Sequence, residues 1–181
     1  IDTALKKAMQ HYQAGEWDAA EAIHRKILEI HPNHPESLHL SGVIAHQTGR
    51  DEDAVHLIKQ AIQNHPGIPA YHNNLGEILR RQGKPAEAIL SFQEALRLNP
   101  DDAKAHNNIG IAFKDQGRPD EAIAAFEKAL ALKPDMSEAF NNMGILFKEK
   151  GDVDKAVSCY QNALAFKPNL TEAYNNMGIA L

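Results

Sequence analysis

Pairs of adjacent asparagines recur along the chain at one fixed spacing. Four pairs lie 34 residues apart, namely Asn73-Asn74, Asn107-Asn108, Asn141-Asn142 and Asn175-Asn176. Each asparagine side chain carries one carbonyl acceptor and two N–H donors, which match the acceptor and the donor of a peptide unit. Asparagine also competes with a helix backbone for hydrogen bonds, so repeated pairs within helices require a reason. The pattern predicts a column of amides that binds the backbone of another polypeptide.

Apolar and basic side chains recur beside these pairs. The apolar series is Met9, Val43, Ile111, Ile145 and Ile179, and it is interrupted by Glu77; the basic residues are Arg80, Arg81, Lys114 and Lys148. Aligned apolar side chains on an exposed surface usually mark a binding surface. The alternative is burial against a missing segment or a second copy. The basic residues would favour acidic ligands, but nearby acidic residues favour a solvated surface of mixed charge instead.

Catalytic, metal-binding and nucleic-acid-binding patterns are missing from the sequence. The net charge is −5 with both signs interspersed, and no apolar run is long enough to cross a membrane. His31, His34 and His39 lack zinc-ligand spacing, and Cys159 is the only cysteine. We therefore expect a non-enzymatic chain in the cytoplasm, with no cofactor, no metal, no nucleic acid and no membrane among its partners.

The elements that must position these side chains follow the same period. One glycine series comprises Gly42, Gly76, Gly110, Gly144 and Gly178, and a second comprises Gly15, Gly49, Gly83, Gly117 and Gly151. Alanines and prolines repeat at the same spacing, which indicates stacked repeats. Within one repeat, Gly83 is placed to end a first helix and Pro85 to begin a second. Each repeat is therefore predicted to be a helical hairpin that buries its apolar face only by stacking.

A helical projection of one hairpin divides the first helix into two faces. Leu75, Gly76, Ile78 and Leu79 form the predicted core face, and both asparagines of the pair fall on the opposite, exposed face. Ala88 and Ala95 are expected to allow close approach to Gly76, while Phe92 and its equivalents fill the space between hairpins. We predict that the second asparagine of each pair faces a ligand. The first asparagine is equally consistent with a bond between neighbouring hairpins that orders the stack.

The pattern of Leu-Gly in the first helix, Ala-Phe-Ala in the second and a closing proline resembles the tetratricopeptide repeat. The resemblance implies an all-α, right-handed α-solenoid in which first helices line a concave groove for protein or peptide segments. It implies one domain with repeats at 1–34, 35–68, 69–102, 103–136 and 137–170, followed by a partial repeat at 171–181. We expect a fragment of a longer protein, because the sixth repeat stops inside its first helix. An additional expectation is self-association through that uncapped helix.

The Asn-Asn-Leu/Ile/Met-Gly run is also similar to the amino-terminal repeats of protein O-linked N-acetylglucosamine transferases. In that family, groove asparagines hold substrate backbones. The positions that would take this role are Asn74, Asn108, Asn142 and Asn176, whereas Leu40 and Lys6 depart from the pattern. Two hypotheses therefore follow from the sequence: a scaffold that binds proteins or peptides, or the substrate-recruiting arm of such a transferase.

Overall fold

The computed structural model describes residues 1–180, which form helices joined by short connections and contain no β-strand. The helices are α1 (Asp2–Gln13), α2 (Trp17–Ile30), α3 (Pro35–Gln47), α4 (Asp51–Asn64), α5 (Pro69–Arg81), α6 (Pro85–Leu98), α7 (Ala103–Asp115), α8 (Pro119–Leu132), α9 (Ser137–Glu149), α10 (Val153–Phe166) and α11 (Thr171–Ala180). Leu181, which the sequence assigns to the first helix of a sixth repeat, lies outside the described residues. The chain divides into two compact units, Ile1–Leu98 and Asn99–Leu181.

The first unit consists of three helical hairpins. Helix α1 packs on α2, α3 on α4 and α5 on α6. The second helix of one hairpin also contacts the first helix of the next, as α2 contacts α3 and α4 contacts α5, and α3 contacts α5 directly. The first helices α3 and α5 therefore lie side by side.

The second unit follows the same arrangement. It pairs α7 with α8 and α9 with α10, and α11 packs on α10. Neighbouring first helices are in direct contact: α7 contacts α9, and α9 contacts α11. The all-helical stacked fold predicted from the 34-residue period is thus confirmed.

Glycine ends the first helix of each complete hairpin. Gly83, for example, has φ +72°, a left-handed conformation that side-chain-bearing residues rarely adopt. Its N–H is bonded to the carbonyl of Arg80, and the N–H of Lys84 is bonded to that of Leu79, so the last turn is closed. Helix α6 then begins at Pro85, as the sequence predicts.

Three of the helical glycines accommodate an aromatic ring of their own hairpin, whereas Gly42 faces Ile58. An added Cβ would come within 2.6 Å of Phe92 at Gly76, 2.7 Å of Phe126 at Gly110 and 2.5 Å of Tyr160 at Gly144. Phe126 also shares a buried cluster with Met143 of the next hairpin, as predicted for a residue between hairpins, but the contact of these rings with the helical glycines was not predicted. Ala88 and Ala95 were predicted to allow close approach to Gly76. The two alanines are buried, but the ring of the second helix occupies the space over the glycine.

The predicted core face of the first helix is confirmed in α5. Leu75, Gly76, Ile78 and Leu79 are all buried. In the second unit, the equivalent Met143 belongs to a cluster with Ala122, Phe126, Ala139, Leu146 and Cys159. Within residues 1–180, no helix combines the length and the apolar character that a membrane crossing requires.

Candidate functional site

The asparagine pairs are less exposed than the sequence suggested. Asn73, Asn107, Asn108 and Asn141 are each between 4% and 8% exposed, whereas Asn74, Asn142 and Asn176 are half-buried and Asn175 is exposed. The prediction that both members of each pair lie on an exposed face is therefore wrong for the four buried residues. A projection of one isolated hairpin omits the first helices of neighbouring hairpins, which lie alongside and cover part of that face.

A hydrogen bond links neighbouring first helices in the first unit. Asn74 on α5 donates from Nδ2 to Nε2 of His39 on α3, at 2.8 Å. His39 lies 34 residues before Asn73 and so occupies the position of the first asparagine. Its ring also stacks on Tyr71, with ring centroids 4.4 Å apart. Burial, with a smaller contribution from His24, lowers the pKa of His39 to about 4, so the ring is neutral and its Nε2 can accept.

The second unit contains the same bond between two asparagines. Asn176 on α11 donates from Nδ2 to Oδ1 of Asn141 on α9, at 3.1 Å. In both cases the second residue of a pair donates to the first position of the preceding repeat, 35 residues earlier. We call this bond an amide rung. The interpretation that an asparagine bonds between neighbouring hairpins is confirmed at these two rungs.

Between α7 and α9 the structure departs from this arrangement. Asn142 accepts a hydrogen bond at Oδ1 from the Lys114 ammonium, at 2.9 Å. Asn107, which would be the acceptor of a rung here, has a buried Oδ1 with no hydrogen-bond partner in the described part of the chain. A buried carbonyl oxygen without a donor lowers the stability of the fold. The Oδ1 of Asn107 therefore remains able to accept a hydrogen bond.

The apolar series is only partly exposed. Ile111 and Ile145 are half-buried, and Ile111 packs against the buried cluster that contains Phe126 and Met143. The prediction that this position lies farthest from the core is therefore wrong for Ile111, because the next hairpin packs beside it. Ile179 on α11 is 69% exposed. Together these isoleucines place an apolar component beside the asparagines of the second unit.

The basic residues of the two units differ in their partners. In α5, Arg80 and Arg81 both bond to the Glu77 carboxylate, at 3.2 and 3.0 Å. Burial acts to raise the pKa of Glu77, but the bonds and charges of the two arginines outweigh it, and the net shift is downward. Lys148 is half-buried, as is Lys114, whose bond to Asn142 is described above. The cations of α5 are thus already neutralised by an acidic neighbour on their own helix.

A polar cavity of about 480 Å³ opens at the amino-terminal ends of α9 and α11. Its lining residues are Glu138, Asn141, Asn142, Lys167, Asn169, Leu170, Thr171 and Glu172. The loop residues Lys167 to Leu170 were missed as site residues, because only the first helices were considered. The asparagine pair of α9 therefore faces a space that could accommodate part of a polypeptide.

Some histidines of the first unit, such as His24, are buried packing residues. His24 is fully buried, and its Nδ1 lies 3.4 Å from the Ser37 hydroxyl. Burial, with a smaller effect of His34, lowers the pKa of His24. Across residues 1–180, no three histidine, cysteine, aspartate or glutamate side chains are grouped so that they could hold a metal ion.

Comparison with known proteins identifies a repeat family. A sequence model of the family described as Tetratricopeptide repeat matches residues 5–69, 52–103, 73–137 and 107–171. No curated protein sequence matches this chain. The structure is similar to that of MamA, with a TM-score of 0.81 and 27% identity, over 89% of this chain and 94% of that one.

Two further solved structures are similar over most of their length. TTC0263, a thermophilic TPR protein of Thermus thermophilus, is 25% identical with a TM-score of 0.75, over 99% of this chain and 97% of that one. YrrB, a TPR protein with an unusual peptide-binding site, is 22% identical with a TM-score of 0.79, over 95% and 89% of the two chains. At that identity YrrB shows the fold alone. The resemblance to O-linked N-acetylglucosamine transferases is not shown by these comparisons.

The matches to the family model overlap and together extend from residue 5 to residue 171. The helical hairpins and the capping glycines follow the same 34-residue period, and so do the rings over Gly76, Gly110 and Gly144. This chain belongs to the tetratricopeptide repeat family, a family of helical scaffolds that bind proteins or peptides.

Proposed function

We propose that the chain binds an extended segment of a partner protein on the face formed by its first helices, and that its second unit supplies the main contacts. The observation that carries this proposal is the polar cavity beside α9 and α11, which both asparagines of the α9 pair line. Asn142 is half-buried at this cavity, and it is the Oδ1 of its side chain that accepts the hydrogen bond from Lys114. Its Nδ2 is therefore available to donate to a peptide carbonyl.

The spacing of the first helices fits an extended ligand. Packed helices lie about 8–10 Å apart, and an extended chain advances about 3.3 Å per residue. Amides on successive first helices would then meet the ligand backbone at roughly every third residue. Because these contacts are made to backbone groups, the amides would hold many sequences while reading few side chains.

The apolar and basic residues add contacts for ligand side chains. In the second unit we assign this role to Ile111, Ile145 and Ile179, together with Lys114 and Lys148. In the first unit, the corresponding candidates are Asn73, Asn74 and Arg80, although Asn74 and Arg80 already bond to His39 and Glu77. In the second unit, the buried Oδ1 of Asn107 has no donor among the described residues, and the polar cavity lies beside Asn141 and Asn142.

The proposal is tested by selecting ligands and then removing one amide. Random twelve-residue peptides are displayed and selected on the immobilised chain, and the affinity of the selected peptides is measured by fluorescence anisotropy. Asn142→Ala should weaken binding about three- to tenfold, because one hydrogen bond contributes about 0.5–1.5 kcal/mol. The matched control is Asn162→Ala on α10, where the asparagine is exposed and outside the proposed face.

Two results would contradict this function. One is equal affinity of the selected peptides for the Asn142→Ala variant and the unmodified chain. The other is crosslinking of the peptides to α8 or α10 rather than to α7, α9 or α11. Circular dichroism melting of each variant separates a loss of binding from a loss of folding.

A further inference from the structure

The junction between α2 and α3 contains a buried histidine where the equivalent positions of later hairpins do not. His24 on α2 and Ser37 on α3 are both fully buried, and Nδ1 of His24 lies 3.4 Å from the Ser37 hydroxyl. At the 34-residue period, the position of His24 is filled by Ile58, Phe92, Phe126 and Tyr160, and that of Ser37 by Tyr71, Ala105, Ala139 and Ala173. At this position of the second helix, His24 is thus the one side chain that can gain a proton near neutral pH.

The buried position of His24 does not suit a charged ring. A protonated imidazole donates hydrogen bonds from both nitrogens. The Ser37 hydroxyl can accept one of these bonds, but Nε2 of His24 is buried with no hydrogen-bond partner among residues 1–180. An unpaired buried charge is costly. Helix α2 must therefore move away from α3 before His24 becomes charged.

The charged groups around the junction do not compensate a proton on His24. The titratable and charged side chains near it are Lys7 and His11 on α1, Glu21, Arg25 and Lys26 on α2, and His34, Glu36 and His39 on α3. Glu21 already pairs with Arg50, at 2.8 Å, and Glu36 is exposed. Within the described residues, the histidines that pair with a carboxylate are His11 and His46. The other neighbours are basic, so they oppose a positive charge on His24.

The cap of α3 responds to acid in the same direction. His34 is the N-cap residue of α3, and its Nδ1 accepts a hydrogen bond from the backbone N–H of Ser37, at 3.2 Å. A protonated imidazole has no acceptor nitrogen, so this cap is lost when His34 is protonated. Ser37 therefore contacts two histidines, His24 through its hydroxyl and His34 through its N–H. Protonation of either ring weakens the attachment of α2 to the first turn of α3.

We propose that the α2/α3 junction is acid-sensitive: it holds the α1/α2 hairpin on α3 at neutral pH and releases it near pH 5, while the other hairpins stay folded. The released His24 takes up a proton as the pH falls through about 6.5, whereas burial lowers the pKa of the docked His24. The docked form therefore loses stability below about pH 6.5, by up to about tenfold in the docking equilibrium per pH unit for one proton. Release would expose the face of α3 that carries Ser37. This inference is independent of the proposed function.

Trp17 makes the test specific to the first hairpin. It is the only tryptophan, its ring packs edge-on against Tyr12 of α1 with centroids 5.1 Å apart, and it lines a surface cleft with Thr48 at the end of α3. Urea denaturation is followed by Trp17 fluorescence, which reports this hairpin, and by circular dichroism, which reports all helices. Between pH 7 and pH 5, the fluorescence midpoint should fall by about 0.5–1 M relative to the circular dichroism midpoint.

Variants at two histidines identify the group that is responsible. His24→Leu removes the titrating ring at a similar volume and should abolish the relative fall of the fluorescence midpoint. The matched control is His56→Leu on α4, where the histidine is exposed, and it should retain the fall. If His24→Leu does not fold at pH 7, the double variant Ala8→Gly with His24→Phe takes its place. That variant reproduces the pair formed by Gly76 and Phe92.

Two results would overturn the acid-sensitive junction. The first is an equal shift of both midpoints in the unmodified chain between pH 7 and pH 5, because the first hairpin would then unfold together with the rest. The second is a relative fall that persists when His24 is replaced, because the acid sensitivity would then arise elsewhere. The peptide selection described above involves neither measurement, so either result leaves the proposed function standing.

Discussion

Replacing Gly110 with alanine tests whether the ring of Phe126 determines the spacing of the α7/α8 hairpin. The added Cβ would lie 2.7 Å from Cε1, 2.9 Å from Cδ1 and 3.0 Å from Cζ of that ring. Optimal carbon–carbon contacts are about 3.5–4.0 Å. Phe126 is fully buried within the core cluster, so its ring cannot move away without displacing its neighbours. The two helices must therefore separate or the ring must leave its rotamer.

The expected change in the free energy of unfolding is the difference between two opposing contributions. Overpacking of a core costs about 1–3 kcal/mol. Alanine in a helix interior is favoured over glycine by about 1 kcal/mol, which offsets part of that cost. The Gly110→Ala variant should thus be less stable than the unmodified chain by about 1 kcal/mol, with about 2 kcal/mol as the upper end.

Gly178 provides a matched control on α11. It stands two repeats later at the same position, and an added Cβ would meet nothing within 4 Å. Gly178→Ala should therefore show only the helix preference and leave stability unchanged or slightly higher. Urea denaturation followed by circular dichroism gives the midpoint for each variant. A second test pairs Gly110→Ala with Phe126→Leu, because residues in contact show a coupling energy that independent sites lack.

A Gly110→Ala variant as stable as the unmodified chain would refute this reasoning, because it would show that the ring adjusts freely. Equal destabilisation by Gly178→Ala would refute it in another way, since the cost could not then arise from contact with a ring. Additive effects of Gly110→Ala and Phe126→Leu would show that the two residues do not interact.

Three other predictions concern buried polar groups. Tyr160→Phe should raise stability by about 1 kcal/mol in urea denaturation, because the Tyr160 hydroxyl is buried without a hydrogen-bond partner among residues 1–180. Burial lowers the pKa of His39 from 6.5 to about 4, so the unfolded chain gains a proton first as the pH falls, and stability should decrease between those values by up to about 3 kcal/mol. His39→Asn should reduce that loss, when urea midpoints at about pH 7 and about pH 5 are compared, because asparagine can accept from Asn74 without taking up a proton. Asn141→Ala should cost about 1–2 kcal/mol by removing the rung to Asn176, and an unchanged melting curve would argue against a stabilising rung.

The positions of the helices could be predicted because glycine and proline act on the backbone locally. Gly83 adopts its left-handed conformation and Pro85 begins α6 through restrictions within the residues themselves. The same reasoning applied at a 34-residue period located the first helices, and α5 begins at Pro69, where a repeat was predicted to start. These features require no knowledge of neighbouring repeats.

The placement of the asparagines could not be predicted in the same way. The burial of Asn107 and Asn141 depends on first helices that lie 34 residues away in the sequence, and a projection of one helix contains no information about them. His39 was similarly not recognisable as a substitute for an asparagine. Only the bond from Asn74 shows that an imidazole nitrogen performs the same function as an amide oxygen there.

The amide rungs have a consequence for how binding and stability are related in the second unit. Asn141 accepts the rung from Asn176 and also lines the polar cavity, so one side chain contributes both to the stack and to the proposed site. Substitution of such a residue changes folding and binding together, and neither effect alone identifies its function.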